Sequence, residues 1–306
     1  MKLWNGRRYY SLDCYLKENF GEKLYKLSLS GGMTCPNRDG KISAGGCIFC
    51  SEGGSGEFSA PYTDISQQIE YAKSLVKDKF SGDKYIAYFQ AYTNTYAPVA
   101  YLRNLFMPVI KRDDIAVLSV ATRPDCLEDE KIQLISELAK IKPVWVELGL
   151  QTMHEKTAEF INRGYQLECY ETAVKNLKQA GAEVITHIIL GLPSESREDM
   201  IRTAEYVGKF TDGIKIQLLH VLKNTRLAEL YEKGFFETLS EDEYISLVAE
   251  VIAVLPQNVV IHRLTGDGDK NLLISPKWSG DKRRVLNLIN HELKIKNFFQ
   301  GKNQID

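Results

Sequence analysis

Cys35, Cys47 and Cys50 fall in one short stretch, TCPNRDGKISAGGCIFC, with eleven residues between the first two and two between the last pair. The number three constrains the chain more than the spacing does. A [4Fe–4S] cluster held by thiolates at three irons leaves its fourth iron open to a small molecule. An open metal position separates a reacting site from a structural one, a logic set out for zinc and carried here to iron. Gly31, Gly32, Gly40, Gly45, Gly46, Gly53, Gly54 and Gly56 crowd the segment. Such a loop can wrap a bulky inorganic core and aim bare N–H groups at its sulfurs. Pro36 stiffens the exit from the first ligand, and Phe49 offers an aromatic wall against water.

Other readings of the trio stay open at this point. Structural zinc wants four ligands, usually as two close pairs. Here there is one close pair, and the nearest histidine in sequence is His154. Disulfides want an even set and an oxidising compartment. Chance clustering is the third. Cys14, Cys126 and Cys169 are scattered and read as ordinary buried or half-buried thiols.

The net charge of −1 excludes little, but its distribution is uneven. Residues 277–302 carry Lys277, Lys282, Arg283, Arg284, Lys294, Lys296 and Lys302 against Asp281 and Glu292. The other end sets Lys2, Arg7 and Arg8 beside Trp4, Tyr9 and Tyr10. Bases and aromatics interleaved in this way suit an anionic polymer; a solvated amphipathic helix explains VLNLINHELKIKNFF equally well. No apolar run reaches the ~18–20 residues that cross a bilayer, and MKLWNGRRYYSLDCYL lacks a signal peptide's apolar core. A cytoplasmic protein without a membrane partner is expected.

Strand-like and helix-like stretches alternate along the chain. The strands read YKLSLS (25–30), YIAYFQAY (85–92), IAVLSVA (115–121), VWVELGL (144–150), EVITHIIL (183–190) and GIKIQLL (213–219). Helical patterns between them include ISQQIEYAKSLVKDKF, LEDEKIQLISELAKI, YETAVKNLKQAG and SREDMIRTAEYVGKF. This order predicts an α/β fold, a partial (β/α)6 TIM-like barrel. A Rossmann sheet is the rival, but no G-x-G-x-x-G follows the first strand. Barrel chemistry sits at the C-terminal ends of strands. Ser30, Gln90 to Asn94, Thr122 and Arg123, Glu147 and Gln151, His187, and Gln217 to His220 fall there, and the cysteines follow the first strand directly. The expected division is an N-terminal extension over 1–24, a core over 25–239, and a packed C-terminal layer over 240–306. That layer holds a helix near 241–254, a strand NVVIHRL (258–264), a turn TGDGD and the basic helix.

The cysteine loop after the first strand, followed by βα repeats, resembles the radical S-adenosylmethionine (radical SAM) superfamily. The stretched first gap resembles the branch of the Elongator catalytic subunit. ATRPDCL (121–127), VELGLQT (146–152), NRGY (162–165) and HIILGLPSE (187–195) stand in that branch's order. Over its whole length the chain is similar to the bacterial YtqA/YhcC group. The resemblance implies a [4Fe–4S] cluster on Cys35, Cys47 and Cys50, with S-adenosylmethionine (SAM) chelating the open iron. It implies that Glu147 and Gln151 face SAM and that Arg163 pairs with the methionine carboxylate. Thr122 and Arg123 would lie near ribose or substrate, and the Gly-Leu-Pro turn at 191–193, beginning at Gly191, near the adenine. The family's Gly-Gly-Glu on the second strand is replaced by FQAYTNTY, where Gln90 or Thr93 would substitute. Gln90, Arg123 and His187 are the candidate catalytic residues. Plainer roles compete: a lysine pair for Glu147, a helix-surface ion pair for Arg163, and a satisfied core histidine for His187.

The resemblance also implies a reaction. A 5′-deoxyadenosyl radical would abstract hydrogen from an unactivated carbon. The expected substrate is the tRNA wobble uridine. There, 5-carboxymethylaminomethyl-uridine, often 2-thiolated, would become 5-aminomethyl-uridine with release of glyoxylate. The basic, aromatic-bearing ends would grip the anticodon arm, and a reducing partner such as flavodoxin or ferredoxin would supply electrons. No acetyltransferase domain follows the core, so the Elongator reaction itself is not expected. A radical SAM enzyme acting on a small molecule, and a non-catalytic iron–sulfur RNA-binding protein, are the alternatives.

Overall fold

Apolar residues alternate between two environments along each central strand, and that alternation builds the molecule. The computed structural model describes residues 2–54, 64–80, 82–266 and 268–304. Gly56 of the cysteine segment and Asp267 of the TGDGD turn lie outside them. Strands β1 (Tyr25–Leu29), β2 (Tyr85–Phe89), β3 (Ile115–Thr122), β4 (Val144–Gln151), β5 (Glu183–Leu190) and β6 (Gly213–Leu218) lie side by side in chain order, all parallel. The strand β7 (Val221–Leu222) pairs with β9 (Leu273–Ser275) in a separate small ribbon.

The sheet has seven strands, not six. β8 (Val260–Arg263) pairs in parallel with β6, so the strand foreseen in the C-terminal layer extends the barrel wall. Its four residues read as short and isolated in sequence, whereas Gly213 and Ile214 of β6 give it a ladder to join.

The helices α1 (Leu12–Phe20), α2 (Ile65–Val76), α3 (Val99–Ile110), α4 (Asp129–Ala139), α5 (Glu155–Phe160), α6 (Leu167–Gln179), α7 (Arg197–Gly208), α8 (Arg226–Glu232), α9 (Glu241–Val254) and α10 (Lys282–Ile295) include the crossovers that a parallel sheet requires. α3 escaped the periodicity reading; Pro108 in its last turn breaks the pattern. Ser196 and Ser240 start α7 and α9 with capping boxes, closing on Asp199 and Glu243. Among the described residues no helix is long and apolar enough to cross a membrane.

One face of each strand packs against the helices: Ala87, Leu118, Val146 and Val184 belong to the large outer core. The opposite face points inward. Ile86, Val117, Trp145 and Ile185 form a floor with Leu16 and Leu24, closed by Leu12, Tyr15 and Phe20 of α1. Two residues further along the strands this inner face turns polar, at Tyr88, Ser119, Glu147 and His187.

The N-terminal aromatics do not stand out as a stacking platform. Trp4 and Tyr9 are each 3% exposed, and Trp4 stacks on Tyr10. The two ends of the chain clasp each other: Gln300 accepts from the Tyr10 amide at 2.8 Å and donates its own amide to the Arg8 carbonyl at 2.9 Å. Buried rings cannot stack on bases, which corrects the expectation of an RNA grip for Trp4 and Tyr9; Tyr10 is half-buried. The basic helix keeps its expected form. α10 buries Val285, Ile289 and Leu293 and exposes Arg283 and Lys294.

Candidate active site

Each of the three cysteines takes part in a turn. The Cys35 carbonyl accepts from the amides of Arg38 at 2.8 Å and Asp39 at 3.2 Å, and the Cys47 carbonyl from the Cys50 amide at 3.0 Å. The long span between Cys35 and Cys47 is held by the NRGY segment. Asn162 Nδ2 donates to Ser43 Oγ at 2.9 Å and to the Gly46 carbonyl at 2.8 Å, while Asn37 Nδ2 reaches back to the Asn162 carbonyl at 2.6 Å. Gly164, at φ +81°, lets this segment press close: a Cβ there would sit 3.0 Å from Asn37 Oδ1. On the other flank Arg38 Nη2 donates to the Cys50 carbonyl at 3.0 Å and also to that of Ser51, and its guanidinium lies over the Tyr92 ring.

Among the described residues none of the three is in a disulfide; all are half-buried, and they line one cavity of about 240 Å³, with Phe49 on its wall. Burial, with Cys50 close by, pushes the Cys47 thiol up to about 12. Among the described residues no three His, Cys, Asp or Glu side chains converge on a single ion position. A cubane asks something different: its three ligated irons sit at separate corners, so its thiolates must ring a cavity. That is the arrangement found here.

Glu147 lies in the middle of β4, not at its end, and is 1% exposed. Four donors surround its carboxylate. Oε1 accepts from Lys26 at 3.1 Å and Ser119 at 3.0 Å; Oε2 accepts from His187 Nε2 at 2.8 Å and from Lys215. Burial alone would raise this carboxyl; Lys215, Lys26 and His187 outweigh it and hold Glu147 well below the ordinary carboxylate range. Burial holds the Lys215 ammonium well below the ordinary lysine range, and contact with the Glu147 carboxylate opposes that only in part. Lys215 also donates to the Tyr88 hydroxyl at 2.9 Å. The lysine pairing weighed for Glu147 is therefore present, alongside its place on the cavity wall.

Burial, with Lys215 beside it, pushes His187 down to about 4, so its ring is neutral at pH 7. A neutral ring facing a carboxylate through Nε2 carries its proton there. Nδ1 is then the acceptor, with Gln217 Nε2 at 3.4 Å, on the cavity side.

Gln151 ends β4 at φ +71°, where the β4–β5 register shifts. Its Oε1 is buried on the cavity wall with no hydrogen-bond partner among the described residues. A strained residue offering an orphan acceptor to a cavity fits a ligand's ammonium or hydroxyl group.

The remaining candidates divide. Gln90, Thr93 and Thr122 line the cavity. Thr122 Oγ1 lies 2.6 Å from Thr95 Oγ1, and Thr93 is buried with its amide on the Thr34 carbonyl. Arg123 lines it too, forked onto Asp125 at 2.9 and 2.7 Å and lying over Tyr165. Arg163 is 1% exposed, no surface ion pair. Its nitrogens donate to the carbonyls of Thr152, Leu150 and Tyr165 and to Glu155. Arg163 also lines the cavity, so its guanidinium is held by these protein acceptors at the cavity wall. Gly191 is not among the cavity-lining residues; it packs toward Leu239. The sequence reading missed Lys26, Tyr88, Ser119 and Lys215. The signal was present: strands buried on both faces run apolar, and GIKIQLL breaks that rule with a lysine.

Two family models match the chain: the Radical SAM superfamily over residues 35–207 and the Radical_SAM C-terminal domain over 211–295. YtqA of Bacillus subtilis (strain 168) is 47% identical, across 97% of this chain and 92% of its own length. Protein YhcC of Escherichia coli (strain K12) is 37% identical, across 86% and 85%. The tRNA uridine(34) acetyltransferase of Methanocaldococcus jannaschii is 30% identical over 49% of this chain and 28% of its own. The structure of Methanocaldococcus infernus Elp3 lacking its N-terminus superposes with a TM-score of 0.68 at 18% identity; it covers 90% of this chain, which spans 63% of the Elp3 chain. The chain therefore belongs to the radical SAM superfamily, as an enzyme whose cofactors are a [4Fe–4S] cluster and S-adenosylmethionine.

Proposed function

We propose that this enzyme modifies the tRNA wobble uridine, converting 5-carboxymethylaminomethyl-uridine, with or without the 2-thio group, into 5-aminomethyl-uridine and glyoxylate. Similarity to an enzyme named for uridine 34 of tRNA supports the substrate class. The observation that carries the reaction is His187, which lines the cavity that the three cysteines share and meets Glu147 Oε2 through Nε2 at 2.8 Å.

Cys35, Cys47 and Cys50 would hold the cluster, which together with SAM would supply a hydrogen-abstracting 5′-deoxyadenosyl radical and a one-electron acceptor. The protein must do the rest. It must hold the glycyl C–H bond at a near-attack distance of ~3–3.5 Å and keep water and stray donors away until the radical is spent. Loss of a hydrogen atom from that carbon, then of an electron and the amine proton, leaves a carbon–nitrogen double bond. His187 Nδ1 accepts the amine proton as oxidation makes it acidic, and Glu147 on the other side stabilises the imidazolium. Water then adds and cleaves the imine into the amine and glyoxylate. Lys215, Lys26 and Ser119 keep Glu147 ionised and in place. Gln151 Oε1 is the acceptor available to SAM's ammonium or ribose, and Gln90 and Thr93, which line the same cavity, would take the part of the family's Gly-Gly-Glu.

The test is anaerobic turnover with SAM, dithionite and a tRNA bearing the substituted uridine, with nucleosides and glyoxylate measured by mass spectrometry. The expected result is aminomethyl-uridine and glyoxylate in equal amounts. Formation of 5′-deoxyadenosine with no change in the wobble nucleoside would reject the substrate.

A further inference from the structure

His220 is half-buried on the wall of the cysteine cavity, and the proposed reaction gives it no part. The chain holds it firmly between two ladders. Just before it, the Leu219 amide donates to the Leu190 carbonyl at 2.9 Å; just after it, Val221 opens β7 and pairs with β9. Its place along the sheet sets its depth. Lys215 on β6 is the ladder partner of His187, and His220 lies beyond Lys215 and past the strand's end, nearer the mouth of the barrel.

Two glycines of the TGDGD turn make room for the ring. A Cβ on Gly266 would lie 2.4 Å from its Cε1 and Nε2, and one on Gly268 would lie 2.9 Å from Nδ1. Neither glycine has a positive φ, so it is the ring, not the backbone, that needs glycine there. Both glycines line the cavity, and Gly268 also lines the cleft beside it.

A histidine that served only as core would satisfy its ring nitrogens within the protein. Among the described residues this ring forms no hydrogen bond, and Nε2 is sealed from solvent as well. The sealed nitrogen fixes the tautomer. Burial, and then the Lys282 charge, push His220 down to about 4, so at pH 7 the ring is neutral and carries one proton. On Nε2 that proton would meet neither protein nor water, and buried N–H groups are left orphaned more rarely than acceptors are. The proton therefore sits on Nδ1, the nitrogen beside Gly268, and makes it a donor. His187 offers the opposite polarity deeper in the cavity, an acceptor Nδ1.

We propose that His220 is a specificity residue whose Nδ1–H donates to a carbonyl oxygen of the substrate's base. The assignment rests on the wobble-uridine reading. In uracil the C4 oxygen stands on the ring carbon next to C5, the carbon whose substituent must reach His187. Cytosine carries an amino group at C4, so a donor would face a donor and the bond would be lost.

The test uses the full-length, cluster-loaded enzyme under anaerobic conditions and labelled anticodon-arm hairpins with uridine or cytidine at the wobble position. Fluorescence anisotropy gives affinities for the parent and three variants. His220→Phe keeps a ring and loses both nitrogens. The His220→Asn amide stands near the place of Nδ1, and the His220→Gln amide near the place of Nε2. The parent is expected to prefer the uridine hairpin about tenfold, because a site built to hydrogen-bond one group rejects the analogue without it. His220→Phe and His220→Gln should lose that preference, and His220→Asn should keep most of it. If His220→Phe does not fold, the contrast between the two amides carries the same decision. A ring with a structural role only would weaken both hairpins equally or neither; that result, or a parent without preference, overturns the proposal. If the parent binds neither hairpin, the wobble-uridine reading falls by itself. Nitrogen-15 NMR of the histidines in the same enzyme at pH 7, with His220 assigned by its loss in His220→Gln, then decides the donor. A proton on Nδ1 supports it, and a proton on Nε2 rejects it.

Discussion

His187 Nε2 lies 2.8 Å from Glu147 Oε2, and the two side chains come from adjacent strands that both point into the barrel. The pairing fixes the tautomer and turns Nδ1 toward the cavity. Because burial holds His187 near 4 in the folded state, unfolding releases a ring that binds a proton more readily. Between about pH 6.5 and 4 the unfolded chain takes up that proton and the folded one does not. Stability is therefore complete above the ordinary imidazole value and is lost as pH falls through this window. The expected loss is up to ~1.4 kcal/mol per pH unit from this one group. His220, also held near 4 by burial, adds to it. Urea denaturation at pH 7 and pH 5 checks this. His187→Gln should flatten the slope, and an unchanged slope would refute the buried neutral ring.

Replacing Glu147 by Gln leaves the buried Lys215 side chain without the carboxylate it donates to. Removal of one member of a buried pair costs ~3–5 kcal/mol. Equilibrium denaturation should show a loss of that size, and the double variant Glu147→Gln, Lys215→Met should recover most of it. No recovery would mean that the network's other contacts, Lys26 and Ser119, dominate.

Asn162 ties the cysteine loop to the barrel through Ser43 and Gly46. Asn162→Ala removes both bonds and a residue suited to φ +56°. The expected cost is ~1–3 kcal/mol, together with reduced iron content after anaerobic reconstitution. Asn162→Gly relieves the backbone but still lacks the amide. It should regain stability without regaining iron, which separates the clamp from the strain.

Much of this architecture was legible in the sequence. The six strands β1 to β6 and the cysteine loop's place after β1 follow from apolar runs and turn residues, since buried parallel strands leave long apolar runs. β8 was harder, because a four-residue strand has little periodicity and depends on β6 for its ladder. Within the site, the gathering of the three cysteines on one cavity was readable because their loop follows β1 directly. The partners of Arg163 were hidden because sequence reveals a guanidinium but not the carbonyls of Leu150 and Thr152 that a folded turn aims at it. The Glu147 network was hidden for a similar reason. Lys26 and Lys215 lie 121 and 68 residues from Glu147, and only closure of the sheet brings them to one carboxylate.

Cys35, Cys47 and Cys50 share a cavity, whereas Cys14 and Cys126 are buried apart from it. Replacing any one of the trio by Ala should abolish both cluster absorbance and 5′-deoxyadenosine formation, while Cys14→Ala and Cys126→Ala keep both. Iron and acid-labile sulfide assays check the first part. Full iron in a Cys47→Ala variant would mean that the ligand set is wrong.

Gln151 pays a backbone cost to hold its side chain in the cavity. A left-handed residue with a Cβ costs ~1–2 kcal/mol, and here φ is +71°. Gly tolerates that region, so Gln151→Gly should raise stability, by about 1 kcal/mol once the extra freedom of its unfolded chain is counted. The same change removes the orphan Oε1 from the cavity wall. SAM affinity, measured by equilibrium dialysis on the cluster-loaded protein, should fall roughly tenfold, the worth of one good hydrogen bond to a charged group. A variant that gains stability and binds SAM as tightly as the parent would show that the strain serves something other than the cofactor. A variant that loses both would show that the amide holds β4 in register.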